Sequence, residues 1–111
     1  MHFTHNKGLY TVSRITGPTH NFLGIRLSES EAEITVMALP IRLNETINIT
    51  PEDVMSQAIS GLEIANRELG KQYYISEIQY VASDTYSPIA YETLTRILLK
   101  RISEDGEFVE V

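Results

Sequence analysis

The sequence predicts an α+β fold: a two-layer sandwich in which a roughly four-stranded, mixed or antiparallel sheet carries two helices on one face, in the order β-β-β-α-β-α. Three observations lead there. Alternating apolar residues dominate the first half, two segments with helical periodicity and clear start signals occupy the second, and a strand-like segment lies between them.

Residues 9–16 are rich in β-branched and aromatic side chains, and Gly17-Pro18-Thr19-His20-Asn21 supplies the punctuation that ends them. Residues 22–27 alternate, with Leu23, Ile25 and Leu27 on the face expected to meet the core. The polar turn Ser28-Glu29-Ser30-Glu31 leads into residues 32–39, where Ala32, Ile34, Val36 and Ala38 share a face. These two segments are expected to pair as a hairpin. Pro40 stops the second or confines it to an edge, and residues 41–49 read as a short edge strand around a turn at Asn44-Glu45.

The first helix is signalled at both ends. Thr50 is a natural N-cap, Pro51 occupies the first helical position, Asp53 sits where a capping-box acid reaches back, and Gly70 closes the helix. Val54, Met55, Ala58, Ile59, Leu62, Ala65 and Leu69 gather on one arc, while Ile64 projects from the polar face and Asn66 falls at the edge of the arc, where it is expected to bond a neighbouring loop. Residues 73–82 read as a strand, with Tyr74, Ile78 and Tyr80 on one face. Ser87 is expected to cap a second helix with Pro88 at its first position, and Ala90, Tyr91, Leu94, Ile97, Leu98 and Ile102 form its buried stripe. Arg101 lies inside that stripe, its stem placed to pack and its head to reach water or terminal carbonyls. The tail after Asp105-Gly106 either pairs along a sheet edge or frays. The strand-helix-strand segment through the first helix suits parallel flanking strands.

The chain has 111 residues, no cysteine and 42% hydrophobic residues, which suits one domain over 1–111 with no disulfide framework. No repeat or linker divides it, and residues 1–7 and 104–111 are read as flexible ends. The formal net charge of −6 repels phosphate backbones and anionic lipid, so neither nucleic acid nor a membrane is expected as a partner. The run Val36-Met37-Ala38-Leu39 is far shorter than the roughly 18 apolar residues of a membrane span, and the N-terminal residues lack the basic head and apolar stretch of a signal peptide. The expected location is the cytoplasm.

Pro51-Glu52-Asp53-Val54-Met55-Ser56-Gln57-Ala58-Ile59-Ser60-Gly61-Leu62, then Ile75-Ser76-Glu77-Ile78-Gln79-Tyr80, then the helix after Ser87, resembles the helix-strand-helix half of domain IV of elongation factor G. The likeness covers about half the chain and rests on spacing, apolar positions and Gly61, so it implies a fold for this half and no catalytic motif. The segment between Val81 and Ser87 is shorter than that family's loop and lacks its Gly- and His-containing pattern, and no translational role follows.

The sequence contains no phosphate loop, dinucleotide fingerprint, nucleophile elbow or His-Glu-x-x-His helix, and no cofactor is expected. His2, His5 and His20 are of the right type to ligate a transition metal, yet their spacing is not diagnostic. His20 is a candidate general base, with Asp84 or Glu92 to orient it and Ser87 or Tyr86 as acceptor or nucleophile. Ile64, Tyr73 and Tyr86 are candidate contact residues, since tyrosine combines apolar area with a polar tip. The acids Glu29, Glu31, Glu33, Glu104, Asp105 and Glu107 form a solvated face or steer a basic partner.

These features favour a small acidic, non-catalytic protein that works by protein–protein interaction or self-association, as a homo-oligomer or as an inhibitor or immunity-type binder. The competing reading is a small enzyme or ligand-binding protein with a pocket near His20, Asp84 and Tyr86. The two are separated by whether His20 and Asp84 meet within a concave site.

Overall fold

A computed structural model describes residues 1–17 and 19–111. The expected punctuation before β3 includes Pro18, which lies outside the described residues. The elements are β1 (His2–Asn6), β2 (Leu9–Thr16), β3 (Thr19–Ser28), β4 (Thr35–Ala38), α1 (Pro51–Leu69), β5 (Tyr74–Tyr80), α2 (Ala90–Ser103) and β6 (Val109–Glu110). The α+β class and the two helices match expectation, but the sheet has six strands, ordered β4-β5-β3-β2-β1-β6.

The two additional strands come from the chain ends. Residues 2–6 pair antiparallel with β2, and the turn between them places Lys7 at φ 48 and Gly8 at φ 87. Two positive φ values in a two-residue loop match the twist of a hairpin, and glycine supplies one without steric cost. The tail pairs parallel with β1 through Thr4↔Val109 and His5↔Glu110.

The expected hairpin of β3 with β4 does not form. β5 lies between them, antiparallel to β3 and parallel to β4. The alternation in residues 32–39 identified a face correctly, since Val36 stands opposite core residue Ile78, but alternation carries no information about the neighbouring strand. Residues 41–49 form no strand either. The backbone donors of Asn48 and Ile49 both go to Ala82 O, at 2.8 and 3.2 Å, and only Ile49 of this segment is fully buried.

α1 begins and ends as its residues dictate. Thr50 Oγ1 accepts the Asp53 N–H, the Asp53 carboxylate accepts the Thr50 N–H, and Gly70 follows at φ 63. The expected start of α2 is corrected. Ile89, not Ser87, is the N-cap, and it makes no side-chain cap bond. Gln57 on α1 takes over that work, accepting the Tyr91 N–H at 2.9 Å and donating to Ser87 O at 2.9 Å.

Both helices lie on one face of the sheet and start at the same end of the molecule, where β4 and β5 finish. Core residues Val12, Leu23, Ile25, Ile78 and Tyr80 of the sheet meet Val54, Ala58, Ala65, Leu94 and Leu98 of the helices. The helices touch at Gly61, where an added Cβ would stand 2.6 Å from Glu92 O and 2.9 Å from Thr95 Cβ. Thr95 is tolerated in this contact because its hydroxyl bonds the Tyr91 carbonyl of its own helix at 2.6 Å. Asn66 bonds Tyr73 through both its amide groups, as its position suggested, whereas the Arg101 head reaches past its own helix end, lying 4.1 Å above the Phe3 ring and donating to Glu107 O in the tail.

Gly61→Ala forces backbone against backbone, so the gain of about 1 kcal/mol in helix propensity is outweighed. We expect a net loss on the order of 1–3 kcal/mol in urea unfolding. Ser56→Ala, at an exposed position of the same helix, should change stability by less than about 0.5 kcal/mol.

Candidate functional site

The end where the helices start is built from three loop segments held to one another by polar bonds. β5 stops at Tyr80, so Phe22 of β3 has no strand partner for its N–H, and Asp84 Oδ2 accepts it at 2.7 Å. Thr85 continues the junction: its N–H donates to His20 O at 3.1 Å, its hydroxyl accepts the His20 N–H at 3.2 Å, and its carbonyl accepts from the Asn21 amide at 2.8 Å. From the third segment, Asn48 Nδ2 donates to Ser83 O at 3.2 Å, and Glu45 accepts from the Ser83 hydroxyl at 2.6 Å.

His20 and Asp84, 64 residues apart, are therefore brought together, with His20 Nε2 3.4 Å from Asp84 Oδ1. Asp84 is only 2% exposed. Burial raises its carboxyl above the ordinary carboxylate range, against the opposing effects of the Phe22 N–H and His20, while neighbouring Glu45 adds to the rise. Glu45 is held below its usual range by the Ser83 hydroxyl and then by the Arg42 N–H. Beneath them, the Tyr91 hydroxyl faces Asn21 and Asp84, is buried, and finds no well-formed hydrogen bond among the described residues. Burial drives this phenol far above its ordinary range.

The other candidates fall elsewhere. The Ser87 hydroxyl accepts the Ile89 N–H at 3.3 Å and is occupied with the approach to α2. Tyr86 is exposed on the loop, Tyr73 lies at the opposite end of β5, and Ile64 is half-buried midway along α1, so the three proposed contact residues do not share a surface. The three histidines do not converge. His5 stacks on Tyr10 at 4.6 Å and bonds Glu110 through Nδ1 while its Nε2 accepts the Gly8 N–H, whereas His2 pairs with Ser13 and His20 with Ile15 on other rows. Among the described residues no group of three or more His, Cys, Asp or Glu could hold a metal ion.

A groove of about 510 Å³ lies between the helices, lined by Ala65, Leu69, Ile97, Lys100 and the ion pair of Glu68 with Arg96 at 2.9 Å. It contains none of the candidate catalytic, contact or metal-binding residues named from sequence. Sequence reasoning named Tyr86 but missed the other apolar exposure at this end: Ile15, Leu43, Ile47 and Ile89 are also exposed, on segments that lead into or out of the bonded junction. No family model matches the chain, and no curated protein matches it. No helix among the described residues is long and apolar enough to cross a membrane.

Removing the Asp84 acceptor strands the Phe22 N–H, so Asp84→Ala should cost about 1–3 kcal/mol in chemical unfolding, while Asp84→Asn, which keeps a carbonyl oxygen, should cost less. The raised carboxyl means that the folded chain binds its proton more tightly than the unfolded chain. Stability contributed by Asp84 is therefore present at low pH and is lost as pH rises from 3.8 through the raised folded value. His20, Glu45 and Tyr91 also face this carboxylate. We expect the stability difference between the wild type and Asp84→Asn to move in favour of Asn over that interval, measured by unfolding at stepped pH. Tyr91→Phe should stabilise the fold by on the order of 1 kcal/mol, since it removes a buried hydroxyl without a partner; a loss of that size in thermal unfolding would reveal a bond to Asn21.

Proposed function

We propose that this chain is a non-catalytic binding module of the cytoplasm that engages a protein partner through the end where its helices begin. The observation that carries this reading is the concentration of Ile15, Leu43, Ile47, Tyr86 and Ile89, all exposed, on segments tied to one polar cluster. Single exposed apolar residues are ordinary, but several on segments joined at one end of the fold have the composition of an interface. Leu43 and Ile47 flank Glu45, and Tyr86 follows Thr85, so each lies beside a residue fixed by hydrogen bonds. That anchoring reduces the ordering cost of binding.

Self-association through a sheet edge has less support. β4 offers four residues bounded by Glu33 and Pro40, and β6 offers two, which are the short and interrupted edges that resist pairing. The approach of His20 to Asp84 favours a catalytic reading, but one Asp84 oxygen holds the Phe22 N–H and the Ser87 hydroxyl accepts the Ile89 N–H, so that reading has less support than the binding one. An inhibitor reading fits the same surface. Its acidic steering residues, Glu29 to Glu33 and Glu104 to Glu107, lie at the far end, where β3 and α2 finish.

Ile47→Glu combined with Ile89→Glu changes two exposed positions and should leave circular dichroism unaltered. Native mass spectrometry of protein isolated from its own cells should show a protein subunit retained by the wild type and absent from the double variant. Equal retention by both would remove this surface from the interface.

A further inference from the structure

The two oxygens of the Asp84 carboxylate are unequally satisfied. Oδ2 holds the Phe22 N–H at 2.7 Å, but the side-chain contact of Oδ1 is His20 Nε2 at 3.4 Å, beyond the usual span of about 2.7–3.2 Å for such bonds. Asp84 itself is 2% exposed, while the imidazole in front of it is 54% exposed. His20 is thus the exposed side chain beside Oδ1. Behind the carboxylate, Tyr91, 1% exposed, leaves its hydroxyl without a partner among the described residues. A buried carboxyl with one oxygen held and the other short of a well-formed bond thus stands near a buried hydroxyl without one.

We propose that this site accepts an arginine side chain of the partner protein, whose guanidinium displaces the His20 ring and donates to Asp84 Oδ1. The inference rests on the reading of this end as a partner-binding surface and adds the chemistry of what binds there. A buried carboxylate is unfavourable until it is fully hydrogen-bonded, and a charge-assisted bond to a cation supplies the missing interaction. The group to be replaced is itself planar and donor-bearing, so a planar guanidinium fits the space that an imidazole leaves. Arginine also has donors to spare for the Glu45 carboxylate, which accepts from Ser83, the residue before Asp84, and a flat face suited to aromatic contact. A lysine ammonium, a compact and strongly hydrated charge, offers neither.

The test uses the intact ¹⁵N-labelled chain with N-acetyl-arginine amide as the probe, and N-acetyl-citrulline amide as its neutral, near-isosteric control. Two-dimensional NMR follows the Phe22 and Thr85 amides, whose hydrogen bonds report directly on Asp84 and on the His20 backbone. Arginine is expected to give saturable shifts at these amides in the millimolar range, and citrulline none. His20→Ala should tighten the response severalfold, because the competing ring is gone, and Asp84→Asn, which keeps an acceptor for Phe22, should abolish it. Equal shifts with citrulline, no saturable shift with arginine, or loss of the response in His20→Ala would each overturn the proposal. A partner complex that is lost in the Ile47/Ile89 double variant but survives in Asp84→Asn would leave the binding surface standing and dismiss arginine alone.

Discussion

The bond between the Asp84 carboxylate and the Phe22 N–H organises this end of the molecule. β3 is longer than β5, and where β5 stops a backbone donor in the middle of the sheet needs an acceptor. A side chain supplies it, which requires the following loop to fold back over the start of β3. Once it does, Thr85 bonds His20, Ala82 O receives Asn48 and Ile49, and the point at which α1 begins is fixed. Gln57, one and a half turns into α1, then sets the start of α2 through Ser87 and Tyr91. A hydrogen bond to a charged group contributes about 1.5–3 kcal/mol, which is comparable with the desolvation it has to offset, so the carboxyl remains raised.

How much could be read from sequence follows from how local each signal is. α1 was legible in full because Thr50, Pro51, Asp53 and Gly70 act within one turn of the helix ends they define. The Ser87-Pro88 signal looked equally good and failed, because a side chain 30 residues away, Gln57, satisfies the approach to α2. Alternation in residues 32–39 located a strand and its inner face. It could not show that β5, arriving after a 19-residue helix, would insert between that strand and β3. β1 was hidden for a different reason: its hairpin carries Lys7 at positive φ, an uncommon choice, so only Gly8 marked the turn.

The site was legible as residue types and not as an arrangement. His20 and Asp84 stood out because imidazole and carboxylate are chemically able groups near predicted turns, and the fold does bring them together. Tyr91 did not stand out, since its periodicity places it in the core stripe of α2, where most of its surface indeed lies. Only the third dimension shows that its hydroxyl ends beside Asn21 and Asp84. Leu43 and Ile47 were read as strand residues, and their exposure became apparent only once residues 41–49 proved to be a loop.

Both helices point their N-termini at this end, and a helix N-terminus carries partial positive charge that would oppose a bound cation. The chain answers that field locally. Glu52 and Asp53 occupy the first turn of α1, where Asp53 also closes the capping box, and Glu92 occupies the first turn of α2. Gln57 further covers the Tyr91 N–H. With acids placed at both helix starts, the field of the helix ends is met locally, and the carboxylates of Asp84 and Glu45 answer instead to the basic groups nearest them, His20 for both and Arg42 for Glu45.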